Sequence, residues 1–145
     1  MYFIDRSRIE QILNYIDQLL VEFDRDSYDS TLEKLGLERL VQMLIESTLD
    51  VGNMMIDGFI MRDPGSYEDI IDILVDERVL PEQDSEGYKN IIRLRTALVR
   101  DYLTIDHTLL QETISTNKKK IDQFSTHVTT YLNNELGVAH AFSNE

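Results

Sequence analysis

Cysteine is absent from all 145 residues, which excludes disulfides, thiolate zinc sites and cysteine nucleophiles and makes a reducing cytoplasm the expected compartment. Proline occurs twice and glycine six times, too seldom to interrupt long helices. No apolar run reaches membrane-spanning length, so no membrane partner is expected. The opening Met-Tyr-Phe-Ile-Asp-Arg lacks the basic leader and apolar stretch of a secretory signal. Positive charge is also scarce: 14 Lys and Arg stand against 27 Asp and Glu, a net charge of -13. Such a chain repels polyanions at long range, so DNA coating is not expected. Nucleic acid would have to meet a local basic patch, either Lys89, Arg93, Arg95 and Arg100 or the triplet Lys118–Lys120. A basic protein partner would also suit this field. The sequence shows no phosphate loop, nucleophile elbow, catalytic triad pattern, internal repeat or interdomain linker.

What is present is helical periodicity on a chain that is 42% hydrophobic and about the length of one ordinary domain, residues 1–145. Ile9, Ile12, Leu13, Ile16, Leu19, Leu20 and Phe23 form a stripe for a first helix capped by Asp5 or Ser7. A second helix from about Ser30 to Ile60 is apolar over more than one face, which places it centrally in a bundle or against a second subunit. Gly52 within it is a point of close helix approach or a simple weakening of the helix. Asp63-Pro64-Gly65 is a turn, and Ser66 caps a short third helix with Asp69 at the capping-box position. Beyond Pro81, Asp84 or Ser85 caps a fourth helix, expected to run without a break to Tyr102. The last helix is expected from about Ile105 to Leu132, on the stripe Leu109, Leu110, Ile114, Ile121, Phe124, Val128 and Leu132. The reading is an all-α bundle of five helices.

Arg95 breaks the pattern. It falls on the face of the fourth helix shared by Tyr88, Ile91, Ile92, Leu98, Val99 and Tyr102, where periodicity asks for Leu. Burying a guanidinium is costly unless it is paired. Either a carboxylate partner or an opening onto a cleft is therefore expected. Glu46, Asp50, Asn53 and Asp57 recur at helical spacing along one side of the second helix and supply a partner row, with a two-toothed Arg–carboxylate pair as the expected geometry. Asp57 is better read as a solvated edge. Arg100 lies five positions on, about 140° around an ideal helix, and shares a solvent-facing side with Arg93. The lysine triplet reads as a charged exterior. No Glu-x-x-His pair exists and His107, His127 and His140 are scattered, so neither a metal site nor a cofactor is expected.

These residues carry a resemblance. Arg95-Thr-Ala-Leu-Val-Arg100-Asp-Tyr102 resembles the signature of the HepT-like HEPN domains, an Arg, four residues, a His, one residue and a Tyr. Glu46-Ser-Thr-Leu-Asp50-Val-Gly-Asn53 is similar to the family's second-helix motif, and the stretch from Asp57 to Leu74 looks like the YutE-like branch. The resemblance implies a five-helix HEPN bundle, a homodimer whose Arg motifs meet in a cleft, and metal-independent RNA cleavage by the toxin of a toxin–antitoxin module. The partner it implies is an MNT-type nucleotidyltransferase antitoxin that modifies the motif Tyr. Carried over, Arg95 is the motif Arg, Tyr102 the modification target, and Glu46, Asp50 and Asn53 the supporting row. The chain departs from the family at two positions: Arg100 stands where the motif has His, and Thr96 where Asn is usual. His exchanges protons near neutral pH, whereas Arg only binds or stabilises negative charge. His107, six residues past Arg100, offers a replacement imidazole under a looser Arg-to-His spacing, unless a helix boundary at Thr104–Asp106 separates them. Two readings stay open: a ribonuclease using Arg95, Arg100 and His107, or a non-catalytic dimer that binds a nucleotidyltransferase or a nucleotide in the same cleft.

Overall fold

The computed structural model describes residues 4–143, with side chains through residue 136. Helix α1 (Arg6–Arg25) starts at Asp5, whose carboxylate accepts the Arg8 amide, so Asp5 rather than Ser7 is the cap. Helix α2 (Thr31–Gly58) opens with a complete capping box. The Glu33 amide donates to Ser30 Oγ at 3.1 Å, and the Ser30 amide donates to the Glu33 carboxylate at 2.9 Å. It stops where Ile60 takes a left-handed φ of 56° and the Met61 amide donates to the Ile56 carbonyl at 2.9 Å. Helix α3 (Tyr67–Asp76) begins at Ser66, which accepts the Asp69 amide.

The next segments depart from expectation. A 3-10 turn (Glu82–Asp84) leads into α4 (Ser85–Arg93), and neither Asp84 nor Ser85 caps that helix with its side chain. The 3-10 turn supplies an acceptor instead: the Ser85 amide, the first orphan donor of α4, bonds to the Glu82 carbonyl. The expected continuous fourth helix is broken at Leu94, whose amide bonds back three residues to Ile91. A short α5 (Arg95–Val99) then ends well before Tyr102, which lies in a second 3-10 turn (Tyr102–Thr104). The last helix is likewise two pieces, α6 (His107–Ile121), capped by Asp106, and α7 (Phe124–Ser143), which runs past the expected end at Leu132. With α4–α5 and α6–α7 each counted as one kinked rod, the architecture is the five-helix all-α bundle.

Helix α2 is the axis. It packs on α1, α3, α5 and α6, which is why its apolar residues spread around most of its circumference. Leu37, Val41, Leu44, Ile45, Leu49, Val51, Met55 and Ile56 are buried, and each such side chain contributes about 1.5–3 kcal/mol on leaving water. Gly52 is a point of close approach: a Cβ there would lie 2.5 Å from Ile70 Cγ2 of α3. Buried polar groups are satisfied within the bundle, as when Thr48 Oγ1 donates to the Leu44 carbonyl one turn back at 2.8 Å and the Tyr88 hydroxyl of α4 donates across to the Lys120 carbonyl of α6 at 3.0 Å. What remains open on α2 is one strip that includes Leu32, Leu35, Arg39, Asp50, Asn53 and Asp57. Among the described residues no helix is long and apolar enough to cross a membrane.

Candidate functional site

The segment from Arg95 to His107 lies along α2, anchored at each end by a carboxylate of that helix. At one end Arg95 Nε donates to Glu46 Oε1 at 2.7 Å. At the other, His107 Nε2 and Glu38 Oε2 are 2.7 Å apart. Glu38 and Glu46 are eight positions apart, so the anchors are separated by about 12 Å of helix axis. Between them the chain bends through Arg100, Asp101 and the 3-10 turn, then extends at Ile105.

Arg95 has the carboxylate partner that its place in the pattern demanded, but the pairing is not two-toothed. Only Nε is used. The guanidinium carbon lies 4.5 Å from the centroid of the Tyr67 ring, at the start of α3. Among the described residues both terminal nitrogens of Arg95 are without a hydrogen-bond partner, and the side chain is 28% exposed. The hydrogen bond to Glu46 raises the Arg95 pKa above its ordinary value, against the opposing effect of partial burial. Pinned at Nε and supported by a ring, the group presents its fork outward, the geometry that receives a phosphate.

Most of the basic patch is already neutralised within the chain. Lys89 pairs with Asp72 at 2.7 Å. Arg93 does more than sit in solvent: it donates to Glu68, Glu86 and Asn90, joining α3 to α4. Lys118 is not simple exterior either, since it bridges Asp24 of α1 at 2.9 Å and Asp122 at 2.7 Å. Of the arginines in the first patch, only Arg95 and Arg100 keep most of their donors free among the described residues, and Arg100 is exposed without a hydrogen bond or ion pair there.

The remaining expected site residues divide. Glu46 is in place, whereas Asp50 and Asn53 are exposed on the same strip and do not touch Arg95. Asp57 is exposed, as expected. Tyr102 is 62% exposed, and the end of α5 at Val99 removes the helical register that would have returned it to the Arg95 face. The boundary at Thr104–Asp106 is present, so Arg100 and His107 do not share a helix face. His127 lines a separate cavity of ≈ 550 Å³ with Arg78 and Glu82, away from Arg95, and the His140 side chain lies outside the described residues. Among the described residues no three His, Asp or Glu side chains gather as metal ligands would.

Sequence reasoning missed Tyr67. Its place is set by the α2–α3 turn: Arg62 donates twice to Asp69, at 2.7 and 2.9 Å, and the Gly65 amide donates to the same carboxylate at 2.8 Å. Asp69 therefore does not close a capping box on Ser66 but locks the turn ahead of it. Val99, Tyr102 and Leu103 add an exposed apolar edge beside the arginines, with Leu103 89% exposed.

Comparison with known proteins bears on this geometry. A family model described as "Ribonuclease HepT-like" matches residues 9–128. A Bacillus subtilis (strain 168) protein named "Putative RNase YutE" is 45% identical over 143 residues, covering 98% of this chain and 99% of that protein. The solved structure of YutE from Bacillus subtilis, described as a cytosolic protein of unknown function, superposes with a TM-score of 0.92 over 94% of this chain and 96% of its own. A crystal structure of a toxin–antitoxin with AMP-PNP shares the fold at a TM-score of 0.61 and 17% identity, over 84% of this chain and 92% of that one.

Proposed function

The chain belongs to the HepT-like ribonuclease family, and we propose on that premise that the Arg95 face is a metal-independent RNA-cleaving site. The observation that carries the reading is the state of Arg95: held at Nε by Glu46, backed by Tyr67, and open at both terminal nitrogens. Arg95 binds the scissile phosphate, and Arg100, unpaired and exposed on the adjoining bend, adds a second charge. In this metal-independent reading the nucleophile is the neighbouring 2′-hydroxyl. Its oxygen gives up its proton and bonds to phosphorus, the bond from phosphorus to the 5′-oxygen breaks with that oxygen leaving as a protonated 5′-hydroxyl, and a 2′,3′-cyclic phosphate is left. The two guanidinium groups stabilise the charge that builds on the phosphoryl oxygens. His107 is the one imidazole on this segment, and Glu38 orients its ring, leaving Nδ1 to exchange the proton.

In this reading two copies pair so that their arginines line one cleft, with the exposed edge at Val99, Tyr102 and Leu103 available for association. The chain acts in the cytoplasm as the toxin of a toxin–antitoxin module. Tyr102, with its hydroxyl in solvent, is the target of a nucleotidyltransferase antitoxin. A second reading, a cleft that binds a nucleotidyltransferase or a nucleotide without cleaving RNA, is favoured by one observation. Among the described residues no imidazole stands beside Arg95, because position 100 is Arg and His107 is tied to Glu38 two turns away on α2.

Inducible expression without any antitoxin, with RNA integrity and growth followed together, separates the two. Wild type is expected to degrade RNA and arrest growth, Arg95→Ala to do neither, and His107→Ala to slow both. Intact RNA and normal growth on expression of wild type would favour the binding reading.

A further inference from the structure

Tyr67 stands at the first position of α3, on the helix face of Ile70, Ile71 and Leu74 but at the end of that row, where the buried stretch has not yet begun. Half of it, 49%, is exposed. An aromatic ring left in water at a helix start gains little from packing. Yet its position is tightly specified. Ser66 accepts the Asp69 amide, the Asp69 carboxylate holds Arg62 and the Gly65 amide, and Gly52 lets α3 close onto α2. The result sets the ring 4.5 Å from the Arg95 guanidinium carbon.

That guanidinium covers one face of the ring. With that face taken and 49% of the residue still exposed, ring surface turned away from Arg95 is open to solvent. If the ring served only to steady Arg95, the covered face would suffice. An open ring face beside a guanidinium with free terminal nitrogens is the pair of features that binds a single-stranded nucleotide: the fork takes a phosphate and the ring takes a neighbouring base. Charge does not oppose this. In a chain of net charge -13, the carboxylates next to Tyr67 are already matched, Glu68 by Arg93 at 2.8 Å and Asp69 by Arg62 at 2.7 Å. Duplex RNA keeps its base faces stacked within the helix, so an aromatic platform selects single-stranded substrate.

We propose that Tyr67 is a base-stacking platform, holding a nucleobase of single-stranded RNA beside the phosphate bound by Arg95. The proposal rests on the RNA reading of the Arg95 face. Stacking is tolerant of sequence, so the platform sets a preference for unpaired strands rather than for one base.

The test is direct binding by the full chain to two fluorescent probes. One is a single-stranded 2′-O-methyl oligoribonucleotide, which lacks the attacking hydroxyl; the other is the same backbone with abasic residues throughout. Wild type is expected to bind the base-bearing probe more tightly. Tyr67→Phe keeps that preference. Tyr67→Leu weakens the base-bearing probe about tenfold while leaving the abasic probe within about twofold. Arg95→Ala weakens both. If Tyr67→Leu weakens both probes equally, the ring merely steadies Arg95 and the proposal is overturned. It is equally overturned if binding depends on Arg95 and is indifferent to Tyr67, an outcome that leaves the RNA reading standing. Failure of wild type to bind either probe removes the RNA reading and the platform together.

Discussion

Arg93 and Arg95 are two positions apart and are treated in opposite ways by the fold. Arg93 uses four of its five donors: Nε and one terminal nitrogen hold Glu68, and the other terminal nitrogen serves both Glu86 and Asn90. The bonds to Glu68, then to Glu86, raise its pKa, and the pair with Glu68 joins α3 to α4. Arg95 spends one nitrogen on Glu46 and sets its guanidinium carbon over the Tyr67 ring, leaving the rest of the fork unclaimed. The break at Leu94 falls between them and gives each its own surroundings. Within one basic patch the fold claims nearly every donor of Arg93 and leaves both terminal nitrogens of Arg95 open. The number of arginines in a patch therefore says less about function than the number of their donors left open.

The largest expected gain comes from position 100. Replacing the motif's missing group, Arg100→His, puts an imidazole on the bend that follows Arg95. If proton transfer limits cleavage, the rate should rise on the order of 10²-fold, the low end for a positioned acid–base group. A kcat measurement on a fluorogenic RNA substrate checks this. An unchanged or lower kcat would mean that the second guanidinium matters more than an imidazole at that place.

Gly52→Ala comes next, acting on the contact that brings α3, and with it Tyr67, toward Arg95. Forcing a Cβ to 2.5 Å from Ile70 Cγ2 costs about 1–3 kcal/mol by overpacking, partly offset by the ~1 kcal/mol helix preference of Ala over Gly. A net loss of about 1 kcal/mol in urea unfolding is expected. A stabilised protein would show that the α2–α3 contact is looser than the structure has it.

How much of this could be read from the sequence depends on which forces are local. The caps at Asp5, Ser30 and Ser66 are short-range hydrogen bonds and stand in the sequence as such. The Arg95–Glu46 pair was legible because helical spacing put a carboxylate row on the one helix wide enough to be central. Tyr67 was not legible. It reaches Arg95 across a turn and a tertiary contact, and next to Ser66 it looks like any first residue of a helix. The breaks at Leu94 and at Asp122–Gln123 escaped notice for a related reason: the apolar stripe continues through both, and a single 3-10 bond leaves the period almost intact.

The smallest expected effect concerns pH. Hydrogen bonds from Arg62 and then from the Gly65 amide lower the Asp69 pKa from an ordinary 3.8 to about 2. A lowered folded-state value means the stability Asp69 contributes is present above 3.8 and is lost as pH falls toward 2. Asp69→Asn should therefore flatten that part of the acid limb in a series of melting curves. An unaltered limb would show that the α2–α3 turn does not depend on the ionised carboxylate.

The contrast between the two arginines is tested most directly by cleavage of single-stranded RNA in excess EDTA by wild type, Arg95→Ala and Arg93→Ala. The account predicts that wild type cleaves without metal and that Arg95→Ala loses about 10²–10³-fold in kcat/KM. It predicts that Arg93→Ala stays within about twofold of wild type while melting at a lower temperature. Equal losses in the two variants, or cleavage that survives Arg95→Ala, would contradict it.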